Sequence, residues 1–191
     1  MLGGRRNKSG FEVLNYGVSG RTAMRTGDLP YINELEMEWA LHSDADVVVL
    51  MLGTNDAKSY QWNEDRYVHD LTALAKTFLA MKSKPALYVL IPPPLYADNF
   101  IYMNQTVING MLPKMIPHLI VNPLLEKYGP GRVTVVSIFE AMGGTKLSSW
   151  EAFCNLQSCD HCHPNDSGYT LIAMAVFKAL AAGQRDSAPL I

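Results

Sequence analysis

Runs of consecutive apolar residues alternate with helix-spaced apolar positions along this chain of 191 residues. Apolar residues three and four positions apart predict amphipathic helices, and short β-branched runs predict strands. The run at 46–52 is the clearest strand, because it is continuous and β-branched, as in a strand covered on both faces. Together the patterns predict four strands, over 12–17, 46–52, 86–91 and 132–138, and four helices, over 32–42, 65–82, 104–128 and 167–182.

The alternation of strands with helices predicts an α/β fold with a mostly parallel sheet in three αβα layers. Three consecutive prolines at 92–94 end the third strand and stiffen the loop that follows it. Prolines at 113, 117 and 123 predict that the third helix is kinked or broken. Because no repeat or low-complexity linker divides the chain, residues 1–191 are predicted to form a single domain.

The composition argues against two classes of partner. Hydrophobic residues make up 48% of the chain and charged residues 18%, and the net charge of −2 comes with no basic patch for nucleic acid. No apolar run reaches the roughly 18 residues that a membrane span needs. Residues 1–10 are polar, Gly-rich and basic, without the apolar centre of a signal peptide. The compartment and the oligomeric state stay open.

Asp160 precedes His163 by three residues, between a polar loop and the last predicted helix. At this spacing a carboxylate can accept a hydrogen bond from one ring nitrogen of the imidazole. That bond fixes the tautomer and leaves the other nitrogen free to move a proton. Pro164 and Asn165 predict a turn and a helix cap, so the histidine is expected where a loop enters a helix. Functional residues often occupy such loops.

The same residues allow two other interpretations. Residues 159–163 read CDHCH, which matches the C-x-x-C-H pattern of c-type haem attachment. With Cys154 added, Cys159, Cys162 and His163 could also form a zinc site. An Asp-x-x-His pair alone is common and usually means surface hydrogen bonding. The rest of the chain has to decide between these interpretations.

Two further loops carry candidate ligand-binding groups. Gly20 ends a tight loop after the first predicted strand, where its backbone N–H can approach a ligand with no side chain in the way. Asn55 follows the strand at 46–52, at the carboxyl edge of the predicted sheet, where parallel folds bind ligands. Its side-chain N–H₂ can bind a ligand oxygen. A plain turn glycine and a capping asparagine are the structural alternatives.

Three motifs together resemble those of the SGNH (GDSL-type) serine hydrolases: Gly17-Val18-Ser19-Gly20, Gly53-Thr54-Asn55-Asp56 and Asp160-x-x-His163-Pro164-Asn165. They occur in that family's order, and the resemblance covers residues 11–182. It implies a flavodoxin-like fold and hydrolysis of esters or thioesters with no metal and no cofactor. It also implies that Gly20 and Asn55 form an oxyanion hole, that His163 is general base and then acid, and that Asp160 orients His163.

The family's first block, a Gly-Asp-Ser directly after the first strand, has no match in this sequence. Its serine is the family's nucleophile, and neither Ser9 nor Ser19 stands in the corresponding context. In the flavodoxin-like strand order 2-1-3-4-5, the first strand lies inside the sheet, between the strands predicted at 12–17 and 46–52. We therefore expect an N-terminally truncated SGNH-type domain, without its first (central) strand, that is inactive or weakly active by itself.

The resemblance also bears on the substrate. Residues 53–58 with Trp62 nearby look similar to members that act on acetylated sugars, so the expected partner is a small-molecule or glycan ester. Trp62, Asp56 and Ser19 are predicted to contact it, and the aromatic residues at 96, 100 and 102 either extend an aromatic rim or pack the loops. The alternative function is a non-catalytic protein that binds an acyl or glycan ligand. A disulfide among the three cysteines is a further alternative for a secreted protein.

Overall fold

The computed structural model describes residues 12–146 and 160–186. A parallel sheet has the strand order β1-β2-β3, with β1 at Val47–Leu50, β2 at Ala86–Ile91 and β3 at Val133–Ser137. The α-helices are α1 (Leu35–His42), α2 (Glu64–Leu79), α3 (Leu112–Met115), α4 (Asn122–Tyr128), α5 (Ile138–Ala141) and α6 (Asp166–Asp186). The predicted alternation of helices with a parallel sheet is confirmed.

Helices cover both faces of the sheet and so form the predicted three layers. Successive side chains of a strand point to opposite faces. In β2, Leu87, Val89 and Ile91 point into the main core, which also contains apolar residues of α2 and of segment 107–128. Tyr88 and Leu90 point to the other face, where α6 packs with Ile172, Ala175, Val176, Ala179 and Leu180.

β1 departs from the prediction of a strand covered on both faces. It pairs with β2 along one edge, and no strand of the described residues pairs with its other edge. Val47 and Val49 lie in register with Ala86 and Tyr88 and so share the face on which α6 packs, yet they are 42% and 44% exposed. Met51, just after the strand, is 40% exposed. β1 therefore has one open edge and one uncovered apolar face.

The strand predicted at 12–17 is wrong. Residues 12–18 belong to no helix or strand, and Val13 and Leu14 are exposed. A strand persists only where a neighbouring strand satisfies its N–H and C=O groups, and no such neighbour lies beside this segment among the described residues. Its main anchor is a hydrogen bond of 3.0 Å from the Tyr31 hydroxyl to the Tyr16 carbonyl.

The predicted break of the third helix is confirmed and takes the form of alternating π and α turns. π turns at Val107–Met111 and Ile116–Val121 precede α3 and α4. Each proline lies at the first or second position of a new α or π segment. The wider i→i−5 bond also lets the chain continue past a proline, as in the N–H of Asn122, which donates to the Pro117 carbonyl.

Three predicted helices differ from the prediction in extent, and one helix was not predicted. α1 starts at Leu35 and α2 ends at Leu79, three residues inside the predicted bound in each case. α6 starts at Asp166 and continues to Asp186, four residues beyond the predicted end. α5 was not predicted, although its cap is readable: Ser137 Oγ accepts the N–H of Glu140 at 3.1 Å, and Ser-x-x-Glu is a capping pattern. Across the described residues, no helix combines the length and hydrophobicity that crossing a membrane requires.

Candidate active site

The Asp160 carboxylate holds the His163 ring in a tight turn before α6. Asp160 Oδ2 lies 2.5 Å from the ring Nδ1, and Oδ1 accepts the backbone N–H groups of Cys162 (2.9 Å) and His163 (2.8 Å). The turn passes through His161 at φ 62°, in the left-handed region. A carboxylate on Nδ1 favours the tautomer with its proton there, which leaves Nε2 to accept another proton. The His163 side chain is 62% exposed, so the ring is accessible from solvent.

The contacts around Asp160 also keep it ionised. Burial acts to raise its pKa, but the hydrogen bonds from the His163 ring and from the backbone of His163 and Cys162 outweigh burial and lower the pKa of Asp160. An ionised carboxylate at this position stabilises the positive charge that the imidazole acquires when it takes a proton. The pair thus has the geometry and the charge of a general base with its orienting acid.

The start of α6 fixes this turn from the other side. Asn165 Oδ1 accepts the N–H of Gly168 at 3.0 Å, which confirms the cap predicted at Asn165. Because the cap ties the chain to the first turn of a long helix, the two residues before it cannot drift far from the helix end. His163 therefore stands on a supported turn rather than on a free loop.

Gly20 and Asn55 both lie in turns, and both leave a donor group available. Gly20 adopts φ 80°, a conformation that side chains other than glycine rarely take, and Asn55 lies in the turn 54–57 soon after β1. Both residues are half-buried. Within 12–146 and 160–186, the N–H of Gly20 and the side-chain N–H₂ of Asn55 donate to no other group. They are free to bind a ligand oxygen.

The loop at 95–104 joins the surroundings of Asn55 to those of His163. The ring of Phe100 meets the ring of His163 edge to face, with 6.0 Å between the centroids. A few residues later, the N–H of Asn104 donates to the carbonyl of Ala57 at 2.9 Å, two residues beyond Asn55. The loop at 95–104 therefore contacts both the turn of His163 and the turn of Asn55.

The structure contradicts the substrate contact predicted at Asp56. This residue is 0% exposed, and its Oδ2 and Oδ1 accept the N–H groups of Ala23 (3.0 Å) and Met24 (2.7 Å). Burial raises the pKa of Asp56 to about 6, against the lowering effect of the backbone N–H groups around it. With no exposed atom, Asp56 cannot meet a ligand. Instead it ties the loop that follows Gly20 to the turn of Asn55.

Sequence reasoning missed a polar cluster next to the Asn55 turn. Lys58 Nζ lies 2.6 Å from Asp28 Oδ2, and the Tyr60 hydroxyl donates to the same oxygen at 2.8 Å. Gln61 accepts the N–H of Asp28 at 2.8 Å and donates through Nε2 to the Asn55 carbonyl at 2.8 Å. The only signal in the sequence is the density of polar residues after β1, which predicts turns but not their partners.

Trp62 and Ser19, the other predicted substrate contacts, stay predictions. Trp62 is half-buried, and its ring packs against the buried Tyr67 with 5.2 Å between the centroids, which is loop packing. Ser19 is exposed, and its carbonyl accepts a hydrogen bond of 2.8 Å from Arg21 Nη1.

The aromatic residues of the neighbouring loops divide into packed and exposed ones. The Tyr96 hydroxyl donates to the Gly144 carbonyl at 3.0 Å, so Tyr96 holds two loops together. Tyr102 is exposed and packs edge to face on the exposed Tyr60, with 5.7 Å between the centroids. Sequence reasoning named Tyr102 as part of a possible aromatic rim but missed its partner Tyr60.

Cys162 is a buried free thiol and so does not join the disulfide considered for it. Burial, reinforced by the charge of Asp160, raises the pKa of Cys162 to about 12. Because it stays protonated at neutral pH, Cys162 does not suit the role of nucleophile. Cys154, Cys159 and Ser9 lie outside the described residues, within which no three metal-binding side chains cluster.

Comparison with known proteins gives a family match by sequence and similar folds among solved structures. The family model for GDSL-like lipases and acylhydrolases matches residues 3–176. The acetylxylan esterase of Xylanibacter ruminicola is 41% identical over 78 residues, which are 40% of this chain but 16% of that protein, so the match spans about a sixth of its length.

Solved structures of esterases share the fold at low sequence identity. A carbohydrate esterase of family 3 from Talaromyces cellulolyticus superposes with a TM-score of 0.63 at 22% identity, over 89% of this chain and 71% of that one. The aryl esterase of M. smegmatis has a TM-score of 0.58 at 19% identity, over 87% of this chain and 76% of that one. At such identities the likeness concerns the fold alone.

Proposed function

Because this chain belongs to the GDSL-like lipase/acylhydrolase family, we propose that it is the larger part of an SGNH-type esterase that removes acyl groups from small esters. The observation that carries the proposal is the Asp160–His163 pair, with Nδ1 held by the carboxylate and the ring accessible from solvent. The free donors of Gly20 and Asn55 supply the second requirement of acyl transfer, which is a place for the carbonyl oxygen.

The proposed roles follow from the chemistry of each group. His163 Nε2 takes the proton of the attacking hydroxyl as a bond forms between that oxygen and the ester carbon. The carbonyl oxygen becomes negative and accepts hydrogen bonds from Gly20 N–H and the Asn55 amide. The protonated ring then gives its proton to the leaving alcohol as the ester C–O bond breaks, and water releases the acyl group by the same steps in a second cycle. Asp160 stays ionised throughout and stabilises the imidazolium.

The nucleophile in this proposal is a serine on a segment that precedes Met1 in the full-length protein. The open edge of β1 supports this, since Val47, Val49 and Met51 are apolar and about 40% exposed beside it. A strand paired with that edge, followed by a helix on the uncovered face, would bury all three. Such a strand would also end at the carboxyl edge of the sheet, close to the Asn55 turn.

The proposed substrate class is the O-acetyl esters of carbohydrates. Support comes from the local similarity to an acetylxylan esterase and from the likeness of fold to a carbohydrate esterase. The exposed edge-to-face pair of Tyr60 and Tyr102, with Phe100 beside His163, offers aromatic faces of the kind on which the apolar face of a sugar ring packs.

A second candidate function is that of a non-catalytic protein that binds an acyl or glycan ligand. The observation in its favour is that, among the described residues, no serine, threonine or cysteine side chain hydrogen-bonds to the His163 ring. If the nucleophile is truly absent from the mature protein, the same donors and aromatic faces would still hold an ester or a sugar.

Hydrolysis of p-nitrophenyl acetate tests the proposal, with His163→Ala compared with His69→Ala as a matched control. His69 also contacts a carboxylate, Asp70, at 2.8 Å and is also exposed, but it belongs to α2. In the form that carries the upstream serine, we expect kcat of His163→Ala to fall by a factor of about 10²–10⁴, which is the usual contribution of a general base. We expect kcat of His69→Ala to stay unchanged. Equal rates for both variants would remove His163 from the mechanism.

The gene upstream of Met1 tests the origin of the nucleophile. The proposal expects an in-frame segment with an apolar strand that ends in Gly-Asp-Ser, about one strand–helix unit in length. If no such segment exists and the chain binds acetylated oligosaccharides without hydrolysing them, the non-catalytic candidate takes its place.

A further inference from the structure

The two free donors of the candidate site lie on different loops that are joined by one buried carboxylate. Asp56 directly follows Asn55, and its two oxygens accept the N–H groups of Ala23 and Met24, which come three and four residues after Gly20. The partners are 33 and 32 residues apart in sequence, so this contact is tertiary rather than part of a local turn. A buried carboxylate is tolerated in a folded protein only if its oxygens accept hydrogen bonds, and both oxygens of Asp56 do so.

Gln61 adds a second connection between the same two loops. Its Nε2 donates to the carbonyl of Asn55 at 2.8 Å, and its Oε1 accepts the N–H of Asp28 at 2.8 Å. Asp28 is in turn held by the Lys58 ammonium at 2.6 Å. The backbone of Asn55 is therefore fixed from its carbonyl side by Gln61 and from the following residue by Asp56.

We propose that Asp56 is a positioning residue, assisted by Gln61, that sets the spacing between the Gly20 N–H and the Asn55 amide so that both reach one substrate oxygen. This inference rests on the proposed function, in which those two groups form the oxyanion hole. An error of about 1 Å in such a placement is enough to lower catalysis by about a hundredfold. Asp56 itself touches no substrate atom and acts through Gly20 and Asn55.

A matched control supports the same loop from a different element. Asp70 is another buried carboxylate, 8% exposed, and its Oδ2 accepts the N–H of Arg25 at 2.8 Å. Asp70 therefore supports the loop after Gly20 by the same type of bond as Asp56, but it lies on α2 and has no bond to the Asn55 turn. A purely structural role for Asp56 predicts that Asp56→Asn and Asp70→Asn behave alike.

The test is a titration of the ¹⁵N-labelled full chain with sodium acetate, followed at the Gly20 N–H and Asn55 side-chain signals. We expect acetate to shift both signals with one Kd in the parent and in Asp70→Asn. In Asp56→Asn the Kd should weaken by about tenfold or more, the equivalent of one hydrogen bond to a charged group. If Asp56→Asn does not fold, Gln61→Ala replaces it, with an expected weakening of about threefold relative to the parent.

The outcomes separate the two ideas. If the parent responds and Asp56→Asn binds acetate as tightly as Asp70→Asn, the positioning role is overturned while the proposed function stands. If acetate shifts neither signal in the parent, the oxyanion hole of the proposed function fails, and the positioning role fails with it. A selective loss in Asp56→Asn at equal thermal stability of the two variants supports the proposal.

Discussion

Asp56 should make the folding stability of this protein depend on pH in the direction opposite to that of most carboxylates. Burial raises its pKa from 3.8 to about 6 in the folded state. Between these values the folded state binds the proton and the unfolded state does not. Stability therefore falls as the pH rises through this window, and it is highest below the unfolded pKa. Replacement by Asn removes the titrating group and keeps nearly the same shape.

The structure sets the size of the effect. Each pKa unit is worth about 1.4 kcal/mol, so an ionised, buried Asp56 costs roughly 3 kcal/mol at pH 7. As the pH falls from 7 to 5, protonation of Asp56 in the folded state restores roughly 1 kcal/mol of this stability. An Asn side chain has one acceptor oxygen for the N–H groups of Ala23 and Met24, so the substitution also loses one bond, at about 1–3 kcal/mol. At pH 7 the two changes oppose each other and leave Asp56→Asn about 0–2 kcal/mol more stable than the parent.

The expected result is that Asp56→Asn is about 0–2 kcal/mol more stable than the parent at pH 7, and that this difference shifts toward the parent by roughly 1 kcal/mol at pH 5. The charged and titratable groups around Asp56, which are Asp28, Lys58 and Tyr67, are present in both proteins, so most of their own pH dependence cancels in the difference.

Urea unfolding followed by tryptophan fluorescence at pH 7, 6 and 5 measures both stabilities. Comparison of the variant with the parent at each pH is essential, because Asp160 and Asp28 have lowered pKa values and act in the opposite sense at still lower pH. If the difference between parent and Asp56→Asn stays constant from pH 7 to pH 5, the folded pKa of Asp56 is not raised, and the argument from burial fails.

Two further substitutions test how the loops are built. Gly53→Ala should destabilise the protein by about 3 kcal/mol or more in urea unfolding, because φ is 139° there and a Cβ would lie 2.6 Å from the hydroxyl of the buried Tyr67. Gly110→Ala, where an added Cβ meets no atom within 4 Å, is its control and should leave stability unchanged or slightly raised; equal effects would contradict the steric argument. Asn165→Ala should cost about 1 kcal/mol through loss of the cap of α6, and an unchanged melting temperature would show that the cap contributes nothing.

The elements that were predicted well depend on local physics. β2 has the predicted bounds, because its apolar run is closed by a triple proline that can neither continue a ladder nor enter a helix. The break of the helix at 104–128 could be predicted for the same reason, since a proline perturbs the helical turn that leads up to it. The π turns that absorb the prolines were not predicted, because their position depends on how the segment packs on the sheet.

The wrong predictions concern segments whose pairing or burial depends on residues distant in sequence. The segment at 12–17 has the residues of a strand, but a strand needs a partner, and none lies beside it in the described structure. β1 has the continuous apolar pattern of a doubly covered strand, yet Val47 and Val49 are exposed. Both segments flank the position of the first, central strand that the sequence analysis expected to be missing, and among the described residues neither has a strand on that side.

In the candidate site too, contacts between residues close in sequence could be predicted and contacts between distant residues could not. The Asp160–His163 pair could be predicted, because three residues of one turn are enough to bring the carboxylate to Nδ1. The bond from Asp56 to Ala23 and Met24 could not, because nothing in either segment specifies its partner more than 30 residues away. The residues with proposed chemical roles could thus be found from sequence motifs. Asp56, the proposed positioning residue, was part of the same motifs and was taken for a substrate contact. The fold shows that Asp56 is buried, so it holds two loops together instead of contacting a ligand.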